Sequence, residues 1–109
     1  MQVLCRSEQL AEGEAIGIEH ATPGERGFIL IRRDGKVYAY VNKCPHTGVN
    51  LEWLPNQFFD SSGDYLQCSV HGAIFEVEDG QCLRGPCAGD ALRKVSVDER
   101  NGEIVLTGT

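Results

Sequence analysis

The sequence predicts an all-β domain, an antiparallel sandwich or small barrel. Apolar and β-branched runs are short and are separated by turn formers, with 13 glycines and four prolines in 109 residues. Three of the breaks are Asp-Gly or Asn-Gly pairs, the dipeptides best suited to the positive backbone angles of a tight turn. Helical signal is nearly missing: Ser7 to Glu12 hints at one turn, and Gly13 stops it.

The elements follow in chain order. Val3-Leu4-Cys5 is a first short strand and Ala15 to Glu19 a second. Gly27 to Arg33 and Lys36 to Asn42 are rich in Ile, Val, Phe and Tyr and flank Asp34-Gly35, which predicts a hairpin. Tyr65 to Cys68 and Ala73 to Val77 come next, and Asp79-Gly80 turns the chain into Gln81 to Leu83. Arg93 to Val97 and Glu103 to Leu106 flank Asn101-Gly102 and predict a second hairpin with a longer loop. No repeat, linker or low-complexity stretch interrupts the chain, so residues 1–109 read as one domain.

Composition narrows the function classes. A 41% hydrophobic and 24% charged chain is that of an ordinary soluble globular protein. Its longest aliphatic or aromatic run, Phe28-Ile29-Leu30-Ile31, is far short of the roughly 20 residues that span a bilayer. Met1 to Glu8 lacks the basic start and apolar stretch of a signal peptide, so a cytoplasmic location is expected. There, five cysteines, an odd number, are expected to be thiols or metal ligands rather than a disulfide framework. The net charge of −6, with Lys and Arg scattered, leaves no basic stripe for a nucleic-acid backbone. Acidity either steers the protein toward a basic-faced partner or simply keeps it in solution.

Two tight Cys-His pairs carry the chemistry: Cys44-Pro45-His46 and Cys68-Ser69-Val70-His71. Each follows or closes a predicted strand and is trailed by a turn former, Gly48 in one case and Gly72 in the other. Two compact loops therefore each present a thiolate and an imidazole, four ligands of mixed softness. A structural zinc site fits that donor set, as does iron–sulfur chemistry. A Cys-His nucleophile would need an orienting group and a substrate pocket as well. His20, in a Thr-Pro-Gly loop, reads as a solvated residue. Cys5, Cys82 and Cys87 have no partner pattern and read as small buried hydrophobes, with Cys87 close in sequence to Gly85-Pro86. Trp53 and Phe58-Phe59, between the two loops, read as local core, with docking as the alternative.

C-x-H, a 21-residue spacer, then C-x-x-H followed by Gly72 resembles the signature of Rieske iron–sulfur proteins. Phe75, Asp79-Gly80 and Gly85-Pro86 resemble the strand, turn and proline loop behind that family's second ligand pair. The resemblance covers residues 42–90 closely. It implies an antiparallel sandwich with base strands at about 1–42 and 91–109, and a cluster-binding part at about 43–90 formed by two ligand loops and a proline loop. It also implies one [2Fe–2S] cluster, with Cys44 and Cys68 on the inner iron and His46 and His71 on the outer one. Gly48 and Gly72 would then let backbone N–H groups approach the bridging sulfides. The spacer is longer than in the family's oxygenase carriers.

The resemblance further implies a soluble one-electron carrier between a reductase and a terminal oxygenase or other oxidoreductase. The alternatives are a subunit of a larger oxidoreductase such as a nitrite reductase assembly, and a non-redox zinc or sensor module. A Rieske oxygenase needs a second, mononuclear iron, usually on two histidines and a carboxylate. This chain has three histidines, and the cluster takes two. Catalysis is therefore expected elsewhere. High-potential relatives carry a serine two residues and a tyrosine four residues after the second histidine ligand; here those positions are Ala73 and Phe75, which predicts a low reduction potential.

Overall fold

Phe28-Ile29-Leu30-Ile31 is buried along its whole length, each residue at most 2% exposed. A strand reads that way when its sheet is covered on both faces. The computed structural model describes residues 2–19, 27–43, 58–68, 72–85 and 89–108, and shows how this comes about. Its strands are β1 (Gln2–Arg6), β2 (Ala15–Ile18), β3 (Phe28–Arg33), β4 (Lys36–Val41), β5 (Leu66–Gln67), β6 (Ile74–Phe75), β7 (Cys82–Arg84), β8 (Ser96–Arg100) and β9 (Glu103–Gly108). They form three antiparallel sheets, ordered β1-β9-β8, β2-β3-β4 and β5-β6-β7.

The β2-β3-β4 sheet is the middle layer. Successive strand residues point to opposite faces, and the two cores divide accordingly. Phe28, Leu30 and Ala39 pack with Leu4, Cys5, Leu10, Val95 and Ile104 on the side of the first sheet. Ile29, Ile31 and Tyr40 pack with Phe58, Leu66, Cys68, Phe75 and Val77 on the side of the third. Burying each Ile or Phe is worth about 1.5–3 kcal/mol, so β3 is the strand on which both halves depend. The all-β antiparallel fold predicted from the sequence is the fold observed.

Both two-residue hairpins owe their geometry to a left-handed pair. Asp34 and Gly35 have φ of 53° and 76°, and Asn101 and Gly102 have 50° and 76°, the type I′ pattern that matches strand twist. The first joins Arg33 to Lys36 in register, and the Glu12 carboxylate accepts the N–H groups of Asp34 and Gly35 at 2.7 and 2.9 Å. The second joins Arg100 to Glu103 and corrects the expected longer loop. β8 runs to Arg100 because its polar end is paired: the Arg32 guanidinium donates to both Glu99 carboxylate oxygens at 3.0 and 2.6 Å. The stretch expected to begin that strand bonds to β4 instead. The Val41 N–H donates to the Arg93 carbonyl at 2.8 Å, and the Val95 N–H to the Ala39 carbonyl at 3.0 Å. The helical hint after β1 is a single 3-10 turn, Ser7–Gln9, and Arg32 Nε donates to the Leu10 carbonyl behind it at 2.7 Å.

Candidate metal centre

The β5–β6 hairpin delivers Cys68. Leu66 pairs with Phe75 and Gln67 with Ile74; the next rung joins the Cys68 N–H to the Ala73 carbonyl at 2.9 Å. The Gly72 N–H then donates to the Cys68 carbonyl at 2.8 Å, closing the chain back on Cys68. Strand alternation sends Leu66, Cys68, Ala73 and Phe75 to the buried face, where all four are 0% exposed. Gly72 has φ +68°, a conformation that disfavours side-chain-bearing residues. Its own N–H, bonded to the Cys68 carbonyl, ties the chain back to that residue.

Gly85 ends β7 against this hairpin. Its φ is +103°, and a Cβ there would lie 2.9 Å from Ala73 Cα and 3.1 Å from Ala73 Cβ. The chain entering Pro86 is thereby seated on the residue bonded to Cys68. On the other side, β4 leads toward Cys44 and is held on both edges, by β3 and by residues 93–95.

Of the four ligands expected from the sequence, Cys68 is thus placed at the root of a clamped turn. Cys44, His46 and His71 lie outside the described residues, as do His20, Gly48, Trp53, Pro86 and Cys87. Phe58 is fully buried and Phe59 packs against the same core, the local-core role expected of them. Cys5 and Cys82 are also buried. Burial pushes the Cys5 thiol up, and the Cys82 thiol donates to the Arg84 carbonyl at 3.2 Å; both are packing residues, as expected. After β6, desolvation and then the neighbouring Glu78 carboxylate raise the Glu76 pKa. Sequence reading passed over Asn42, the buried polar residue two positions before Cys44.

Cys68, 0% exposed among apolar neighbours, stands where a thiolate would need a positive centre to compensate it, and in that it fits the Cys and His ligation of an iron–sulfur cluster. Among the described residues no group of three or more His, Cys, Asp and Glu side chains stands close enough to hold a metal ion. Nor is any helix there long and apolar enough to cross a membrane.

The layered antiparallel fold carries a buried cysteine at the start of a Cys-x-x-His stretch. Residues 1–97 match the family model for the Rieske [2Fe-2S] domain, and the chain belongs to that family, whose cofactor is a [2Fe–2S] cluster on Cys and His ligands. Among curated proteins, a cholesterol 7-desaturase of Xenopus laevis is 38% identical over 65 residues, covering 60% of this chain and 13% of that protein. The ferredoxin component of an alkene monooxygenase system of Xanthobacter autotrophicus is 25% identical over 103 residues, covering 94% and 77%. Among solved structures, the Sphingomonas yanoikuyae B1 ferredoxin superposes with a TM-score of 0.76 at 20% identity, covering 98% of this chain and 97% of that one. The chain spans 13 to 22% of the length of the cholesterol 7-desaturases it matches.

Proposed function

We propose that this protein is a one-electron carrier whose [2Fe–2S] cluster is held by Cys44 and Cys68 on the inner iron and by His46 and His71 on the outer one. The observation that carries the reading is the clamped β5–β6 turn, which fixes a fully buried Cys68 three residues before His71 in a chain of the Rieske family. When bound, the cluster supplies one reversible electron step; with neutral imidazoles its total charge passes from 0 to −1. The protein's part is to hold and insulate. Cys68 is anchored among Leu66, Ala73 and Phe75, away from water, while the turn that follows it opens outward at exposed Gly72. Residues 43–90 form the cluster-binding part on this reading.

The donor is a reductase and the acceptor a terminal oxygenase or another oxidoreductase. The Xanthobacter relative, a ferredoxin component of a monooxygenase system, supports this. On this reading residues 1–109 carry electrons and not a catalytic iron: their three histidines cannot supply both the cluster and a mononuclear iron. It works in the cytoplasm. A second reading, a Rieske unit fixed within a larger oxidoreductase, is favoured by the length of the desaturases that contain a similar stretch. The two separate on purification from the native host, where a carrier elutes alone and a fixed unit co-elutes stoichiometrically. Ligation is tested by Cys44→Ser, His46→Ala, Cys68→Ser and His71→Ala. Each is expected to abolish the two-iron absorption spectrum, and any that retains it in full removes that residue from the ligand set.

A further inference from the structure

The second ligand turn is rooted by the Cys68–Ala73 and Gly72–Cys68 backbone bonds. The strand that leads toward the first, β4, ends at Val41, and Asn42 and Lys43 are the last described residues before Cys44.

Asn42 stands at that point. It is 6% exposed and is the buried polar side chain among the described residues. Its N–H donates to the Gly27 carbonyl at 2.9 Å, and the Lys43 N–H donates to the Val41 carbonyl at 2.9 Å. This second bond closes a γ-turn centred on Asn42, a common way to end a strand. The acceptor is itself immobile, because Gly27 sits so close to the Ile18 carbonyl that a Cβ would overlap it. A residue needed only to make the turn would leave its side chain in water. Burying an amide is unfavourable unless its donors and acceptor are used, and Asn42 is not without a partner.

We propose that Asn42 is a positioning residue for the first ligand loop, its buried amide fixing the exit of Cys44 as backbone bonds fix Cys68. The proposal rests on the reading of Cys44 as a ligand. Side chains that orient ligands typically change metal affinity 10–100-fold when removed. Asn42→Leu, similar in volume but without hydrogen-bonding groups, is expected to release iron to a ferrous chelator at least ~10-fold faster than wild type. The reduced electron paramagnetic resonance signal should shift or broaden with it. Asn42→Asp, close in shape and keeping an acceptor, is expected to stay within about threefold of wild type, intermediate between no loss and that full loss. The control is Leu4→Ala, which lowers thermal stability through the opposite core and should release iron at the wild-type rate. If Asn42→Leu does not accumulate, Asn42→Ser takes its place with the same threshold. Wild-type release and an unchanged signal in Asn42→Leu overturn the proposal, as does equal acceleration in Leu4→Ala. A native spectrum in Cys44→Ser instead overturns the ligand assignment and leaves the Asn42 result to be read separately.

Discussion

Gly85 is pressed onto Ala73 so closely that a single added methyl would sit 2.9 Å from the Ala73 Cα. Ala73 in turn accepts the backbone N–H of Cys68. The turn into Pro86 and the root of the second ligand loop are therefore one mechanical unit. Gly85→Ala meets both the overlap and a φ of +103° that L-residues rarely adopt. A loss of at least about 2 kcal/mol is expected, read as a lower urea midpoint, together with faster chelation of iron.

The Arg32–Glu99 pair gives an acid-dependent term. The Arg32 guanidinium beside Glu99 holds its carboxyl down to about 2, against an ordinary 4.5. A folded-state value below the unfolded one stabilises above about pH 4.5, and the contribution is lost as pH falls from there to about 2. Glu99 is about a third exposed, so the term is worth under about 1 kcal/mol. Glu99→Gln should lower the urea midpoint slightly at pH 6, and the gap to wild type should close by pH 2. A gap that persisted at pH 2 would locate the effect in packing.

Tyr40 gives the opposite sign. Its hydroxyl, buried in the core facing the third sheet, donates to the Val77 carbonyl. Burial, then the nearby Asp79 and Glu78, push the phenol well above its ordinary value of 10. A raised folded-state value means that stability present below pH 10 declines as pH rises past it. Tyr40→Phe should cost about 1–3 kcal/mol at neutral pH, since the Val77 carbonyl loses its donor. Alkaline denaturation curves of the two proteins should converge above pH 10.

The layout of the fold was legible wherever local chemistry decided it. Asp34-Gly35 and Asn101-Gly102 marked their hairpins because few other dipeptides take two positive φ values. The end of β8 was misplaced because Asp98-Glu99-Arg100 reads as polar loop, whereas it pairs with β9 and Glu99 is held by Arg32, 67 positions away. Arg93 to Val95 looked like that strand because its real partner, β4, is equally remote. The proposed ligand set comes from a spacing motif, and of its four residues Cys68 lies among the described ones. Asn42 was not legible, because burial of one amide is a tertiary fact with no periodicity to announce it.

Ala73 and Phe75 stand where high-potential relatives carry hydroxyls, and both are fully buried. Hydrogen bonds to the cluster sulfurs stabilise the reduced state, and their absence, with a net charge of −6, lowers the potential. Film voltammetry at neutral pH should give a value near the lower end of the Rieske range of about −150 to +300 mV. Ala73→Ser combined with Phe75→Tyr should raise it. A wild-type potential well above zero would refute the missing-donor account.

The most direct test of the central claim is a one-electron titration of the anaerobically purified protein, with iron and acid-labile sulfide determined on the same sample. A Rieske carrier should contain about two irons and two sulfides per chain. It should be brown-red when oxidised, and take up one electron to give a paramagnetic signal that Cys68→Ser and His71→Ala both abolish. A colourless protein containing zinc, or a cluster indifferent to both substitutions, would contradict the account.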